Sequence, residues 1–280
     1  PDGATIAFGW VPPGGSNDVW IMDADGSRQR PVIEGPSVEY GNDFFPDGKR
    51  ILCFSDRDGK TFAAYEFELA TRTFRRLPLD LTDAISIRLA PDGKRIAYHS
   101  KRDSITINTW MADLTTRTQQ KLTFDREFVG YPCWSPDGTW LYYCRTPQVQ
   151  EGFDFRDVKY DLVRIRFDLN TRSFGKPEVI FDAASINKSV SFPAVSPDSR
   201  SVVFTLHDYG TFSIWHREAD LYLLDTGTGE TVKMSVNSEE SDSYHSWSSN
   251  GKWLVFSSKR DDGLSARPYF SYIYSTDSAG

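Results

Sequence analysis

The sequence predicts an all-β fold, a six-bladed β-propeller of four-stranded antiparallel blades, on three observations. A Pro-Asp-Gly turn occurs at 1–3, 46–48, 91–93 and 136–138, recurs as Pro197-Asp198-Ser199, and ends as Ser249-Asn250-Gly251. Successive copies start 45, 45, 45, 61 and 52 residues apart, the period of a propeller blade. No segment keeps a 3.6-residue hydrophobic period for three turns, so helices are not expected.

The turn itself has a chemical basis. Proline presets φ at the first corner, aspartate accepts hydrogen bonds from the local backbone, and glycine takes positive φ without a Cβ clash. A continuous apolar strand follows each copy: TIAF from Thr5, RILCF from Arg50, RIAY from Arg95, WLYY from Trp140, SVVF from Ser201 and WLVF from Trp253. Continuous rather than alternating patterning means both faces are covered. A further strand comes next, VWIMD from Val19 being the first and YFSYIY from Tyr269 the last. A polar turn then leads to a weaker, charged strand such as TFRRLPL (Thr73 to Leu79), which reads as an outer edge that charge protects from pairing with other chains. The innermost strand precedes each turn: NDFF, IRLA, YPCWS, FPAVS and YHSWS.

The 280 residues are therefore expected to form a single propeller domain, 1–280, whose first blade lacks an inner strand and whose last lacks an outer one. The segment is expected to belong to a longer protein. Hydrophobic residues make up 39% and the net charge is -7, which supports a core and argues against general affinity for nucleic acid. No apolar run approaches the roughly 18 residues of a membrane span. The three cysteines, Cys53, Cys133 and Cys144, are read as buried thiols. Cys133 and Cys144 flank one hairpin, but folding it at Asp137-Gly138 sets Cys133 opposite Leu141 or Tyr142.

The pattern WSPDGxxLxYxS, followed by a strand and a DxxG or DxxT turn, resembles the PD40 repeat of the TolB-like propellers, a relative of WD40. The wording SYHSWSSNGKWLVFSSKRDDG is similar to TolB-like bacterial envelope proteins of unassigned role. Related repeats serve the periplasmic TolB protein, prolyl-oligopeptidase propellers and several lyases, so the resemblance implies architecture more than function. It also implies a periplasmic or otherwise exported location.

Function is expected where the chain departs from its repeat, because insertions map to one face and often build the binding surface. The long intervals point to Thr146–Asp161 in blade four and His207–Asp220 in blade five, with Lys259–Pro268 equivalent in blade six. The candidate binding residues at this rim and funnel are Arg145, Phe153, Phe155, Arg156, Tyr160, His207, Asp208, Tyr209, Trp215, His216, Arg217, His245, Arg260 and Arg267, with Phe212 among the loop aromatics. Aromatics beside arginines suit a protein or peptide partner, and carbohydrate as a lesser choice. The plainer reading is that the aromatics pin the loops and the charges are solvated.

The expected function is thus a non-catalytic binding or scaffold module that recognises a protein or peptide through the loops of blades four to six. The alternative is a lyase-type enzyme acting on an acidic sugar in the funnel. A regulatory propeller of a larger hydrolase is a third reading, although no GxSxG elbow occurs. No cofactor is expected. A divalent metal shared by His99, His207 and His245 would need reach across three blades. Oligogalacturonate lyases bind manganese through histidines on a propeller, but no dense histidine cluster resembling theirs occurs in this sequence. DADG (Asp23–Gly26) and DRDG (Asp56–Gly59) are read as inter-strand turns rather than calcium loops. Arg57, Arg102 and Arg260, in the repeated Ser-x-Arg-Asp wording, are expected to be structural.

Overall fold

The computed structural model describes residues 3–59, 61–81, 84–102, 107–123, 128–146 and 154–274, without the side chains of Asn42 and Ile85. Six antiparallel sheets follow one another along the chain. Blade one holds β1 (Thr5–Trp10), β2 (Asp18–Asp23) and β3 (Arg30–Ile33). Blade two holds β4 (Glu39–Phe44), β5 (Arg50–Ser55), β6 (Ala63–Glu68) and β7 (Thr73–Arg76). Blade three holds β8 (Ala84–Leu89), β9 (Arg95–Ser100), β10 (Asn108–Asp113) and β11 (Gln119–Lys121). Blade four is β12 (Val129–Trp134), β13 (Trp140–Arg145), β14 (Asp161–Asp168) and β15 (Ser173–Phe181). Blade five is β16 (Ser189–Val195), β17 (Ser201–His207), β18 (Asp220–Asp225) and β19 (Thr231–Lys233). Blade six is β20 (Asp242–Trp247), β21 (Trp253–Ser258) and β22 (Arg267–Tyr272).

These sheets are the blades of a six-bladed β-propeller, with three strands in the first and last and four in each of the others. Helical structure among the described residues is limited to three single 3-10 turns. The chain divides into two compact units, Pro1–Ile105 with Thr109–Leu122, and Thr106–Asn108 with Thr123–Gly280.

The apolar strands are buried as their patterning predicts: every residue of β9 and of β17 is buried. In the first unit, Val19, Ile21, Ile51 and Tyr65 join blades one and two, while Leu52, Ile87 and Tyr98 join blades two and three. In the second unit, Tyr142, Leu162, Val190 and Phe204 join blades four and five. Each such side chain contributes about 1.5–3 kcal/mol by leaving water.

The turns bear out their chemistry. Asp137 accepts from the Thr139 N–H at 2.9 Å and the Ser135 hydroxyl at 2.5 Å, and Gly138 has φ +71°. Partial burial opposes the Asp137 charge, but these hydrogen bonds outweigh it and hold the carboxyl below its usual value. Cys133 lies opposite Tyr142, and all three cysteines are free; Cys133 is only half-buried, unlike Cys53 and Cys144. The rings beside Trp134 belong to Phe167 and Phe174 of its own blade. The extra length of blade four is shared between the loop before β14 and the nine-residue β15.

In the second unit each inner strand carries a β-bulge at the same place: after Gly130, after Ser191 and after Ser243. A bulge re-aims the next side chain, and here that side chain is aromatic each time. Tyr131, Phe192 and Tyr244 all adopt left-handed φ, at 57°, 55° and 41°.

Candidate functional site

The loop of blade four re-enters the described structure at Asp154, which caps a 3-10 turn by accepting the Arg156 N–H at 2.9 Å. The turn presents Phe155 at 48% exposure, with Arg156 exposed beside it. Phe153 lies outside the described residues. The Phe155 ring faces Gly210, where φ is +69° and an added Cβ would collide with the ring. Gly210 N–H donates to the Val158 carbonyl at 2.9 Å, and the Gly210 carbonyl accepts the Ser189 hydroxyl at 2.9 Å. The loops of blades four and five are therefore one hydrogen-bonded body.

Beneath that body lies a buried pair of imidazoles. His207 and His216 are both buried, with ring centroids 4.9 Å apart. His207 Nδ1 donates to the Tyr209 carbonyl at 3.1 Å, and Tyr209 packs edge-on to His216 at 4.5 Å. Burial, then the neighbouring His216, holds His207 down to about 3, so it is neutral at physiological pH. Lysines secure Asp208: Lys188 Nζ is 2.7 Å from its carboxylate and Lys159 Nζ is 2.5 Å from its carbonyl. The hydrogen bond from Lys188 keeps the Asp208 carboxyl low. Tyr160 is buried in the core, where burial pushes its hydroxyl up, so its ring is not part of the rim surface. These candidates hold the loops in place.

Other candidates are also engaged. Arg145 ends β13 opposite Asp161. His245 donates to the Val203 carbonyl at 3.0 Å, and burial holds it down to about 4. Arg267 belongs to β22 rather than to the loop, and pairs with Asp261 and Asp262. Arg260 contacts the buried Asp242 at 2.9 Å and the Val236 carbonyl at 2.8 Å, with Tyr269 stacked on it at 4.5 Å. Arg57 stacks likewise over Phe74, and Arg102 over Trp110 with Asp80 at 3.0 Å. In each, the backbone N–H bonds the preceding serine hydroxyl, Ser55, Ser100 or Ser258. The repeated Ser-x-Arg-Asp is thus a stacking device of the blades.

What stands in water is smaller and sharper. Trp215 is 77% exposed and Phe212 58% exposed, on a loop whose Ser213 bonds Ser243 at 2.5 Å and Ser241 at 3.2 Å. Lys259 lies 4.9 Å from the Trp215 ring, and exposed Arg217 reaches Glu240 at 2.9 Å. Arginine and tryptophan on a rigid loop are the residue types that dominate binding energy at interfaces.

Three aromatics adjoining this loop were absent from the candidate residues. Tyr131 donates its hydroxyl to the Thr211 carbonyl at 2.6 Å, Phe192 packs on Tyr131 at 4.1 Å, and Tyr244 packs on Phe192 at 4.6 Å. Their signal was visible as the first letters of YPCWS, FPAVS and YHSWS, but an inner strand hides it until the bulge is known. Among the described residues, no group of three or more His, Cys, Asp or Glu side chains is placed to hold a metal ion. No helix among the described residues is long and apolar enough to cross a membrane.

A family model described as the TolB beta propeller domain, PD40, matches residues 1–174. The chain belongs to this family. Among solved structures, it is similar to TolB from Acinetobacter baumannii, with a TM-score of 0.67 and 19% identity over 97% of this chain and 65% of that one. A putative TolB from Agrobacterium tumefaciens gives 0.66 and 18%, over 88% and 81%. An oligogalacturonate lyase in complex with manganese gives 0.60 and 16%, over 96% and 70%. The TolB-like chain thus spans just under two thirds of the A. baumannii protein, and identities this low establish the fold alone. No curated protein sequence matches it significantly.

Proposed function

We propose that this TolB-like propeller is a non-catalytic binding module, exported to the periplasm, that takes a protein or peptide partner on the loops of blades four to six. One observation carries the reading: Trp215 and Phe212 stand exposed on a loop that buried hydrogen bonds hold still. Ordering such side chains in advance lowers the entropy cost of association. Phe155, fixed against Gly210, extends the apolar surface, and Lys259 and Arg217 supply a cationic border. The TolB-like neighbours favour a binding scaffold, while the lyase neighbour keeps the same architecture for chemistry.

The test is a random-peptide phage selection on the wild-type protein, followed by calorimetric titration of the selected peptides. Trp215→Ala and Phe212→Ser should each weaken them about tenfold or more, the hot-spot scale. Selected peptides that bind both variants as tightly as wild type would overturn the assignment of this surface.

A further inference from the structure

In the first unit a cleft of about 200 Å³ opens between blades two and three, at the strand ends that carry the Pro-Asp-Gly turns. Its walls include Phe45, Leu77 and Leu114, and four cations reach it: Arg50, Arg75, Lys94 and Arg117. One carboxylate, Glu66, lies among them. It is buried on β6 and pairs with both Arg50 from β5 and Arg75 from β7. Asp47 also holds Arg50, at 2.6 Å. These pairs fix two guanidiniums in the wall, while Lys94 and Arg117 have no ion-pair partner among the described residues.

A second observation concerns the backbone of Arg117. It donates its N–H to the Asp113 carbonyl at 2.9 Å and has φ +62°. The equivalent residue in blade five, Gly229, makes the same bond to Asp225 at 2.9 Å with φ +77°. Glycine meets that conformation freely, whereas a side chain strains it. The same turn position holds Arg72 in blade two and Arg172 in blade four, at φ +54° and +55°, so the conformation belongs to the repeat; what sets Arg117 apart is that it lines the cleft together with Lys94.

We propose that this cleft binds a small phosphate-bearing anion, with Lys94 and Arg117 as its principal ligands and the Arg50–Glu66–Arg75 group as its preset wall. The volume is below that of drug-sized ligand pockets, which limits the occupant to a small molecule. Guanidinium forks match phosphate oxygens in pairs. The chain as a whole carries -7, so the attraction is local to the cleft rather than a property of the surface. The site lies in the first unit and stands independently of the proposed peptide surface.

The probes are inorganic phosphate and glycerol 3-phosphate, titrated by calorimetry and by amide chemical shifts against chloride at matched ionic strength. Saturable binding of both is expected, with shifts at Lys94 and Thr115 to Arg117. Lys94→Gln and Arg117→Gly should each weaken it about tenfold or more, the loss of one charge-assisted hydrogen bond. Arg117→Gly should do so with an unchanged or raised Tm, because it removes the backbone strain. No saturation up to about 20 mM, or binding that survives both substitutions, would overturn the proposal.

Discussion

Arg260 meets Asp242 at 2.9 Å, with the carboxylate wholly buried and the guanidinium stacked on Tyr269. A buried charge that loses its partner is far costlier than the pair is stabilising. Arg260→Ala should therefore lower unfolding free energy by about 3 kcal/mol, read as a lower urea midpoint at unchanged slope. A midpoint within error of wild type would return Arg260 to the ligand surface.

The ladder of Tyr131, Phe192 and Tyr244 gives a test of opposing signs. Phe192→Ala removes its packing on both neighbours and should cost about 2–4 kcal/mol. Phe192→Gly removes the same contacts but also relieves the left-handed φ, worth about 1 kcal/mol. Calorimetry should find the glycine variant no less stable than the alanine variant, reversing the usual order in a strand.

Acid sensitivity follows from the buried His99 and His207 and the partly buried His245. Burial holds His245 down to about 4, and His99 and His207 down to about 3. The unfolded chain protonates histidine near pH 6.5, so between those values it binds protons that the folded state refuses. Stability is complete above about pH 6.5 and falls as the pH drops toward 4. His245→Asn should flatten that fall by roughly 3 kcal/mol between pH 7.5 and pH 4. Urea unfolding measured at both pH values decides it.

Trp215 and Tyr160 should respond in opposite ways. Trp215→Ala removes a side chain that is mostly in water and should change stability by no more than about 0.5 kcal/mol. Tyr160→Ala empties a core position and should cost about 3 kcal/mol or more. Thermal unfolding of the two variants separates the binding face from the scaffold.

The architecture was legible because turn chemistry and strand patterning are local. Pro136-Asp137-Gly138 shows its hydrogen bonds in its own letters, and the full burial of β9 was readable from RIAYHS. Trp215 and the stacking role of Arg260 were also within reach, since both sit at departures or repeats of the register. Charge obscures the start of β22, so the sequence suggests a loop at Arg267 where the structure has a strand.

By itself, then, the amino-acid order determined the six-blade repeat and the turns, both of which depend on neighbours along the chain. Only the tertiary structure decided which residues of the inserted loops meet water. Tyr160 is covered and His207 is stacked on His216, while Trp215 is left exposed. Exposure depends on contacts distant in sequence, such as Phe155 on Gly210 and Tyr131 on Thr211. The same holds for the cleft, where Lys94 and Arg117 of blade three face Arg50 and Arg75 of blade two only once the blades have packed.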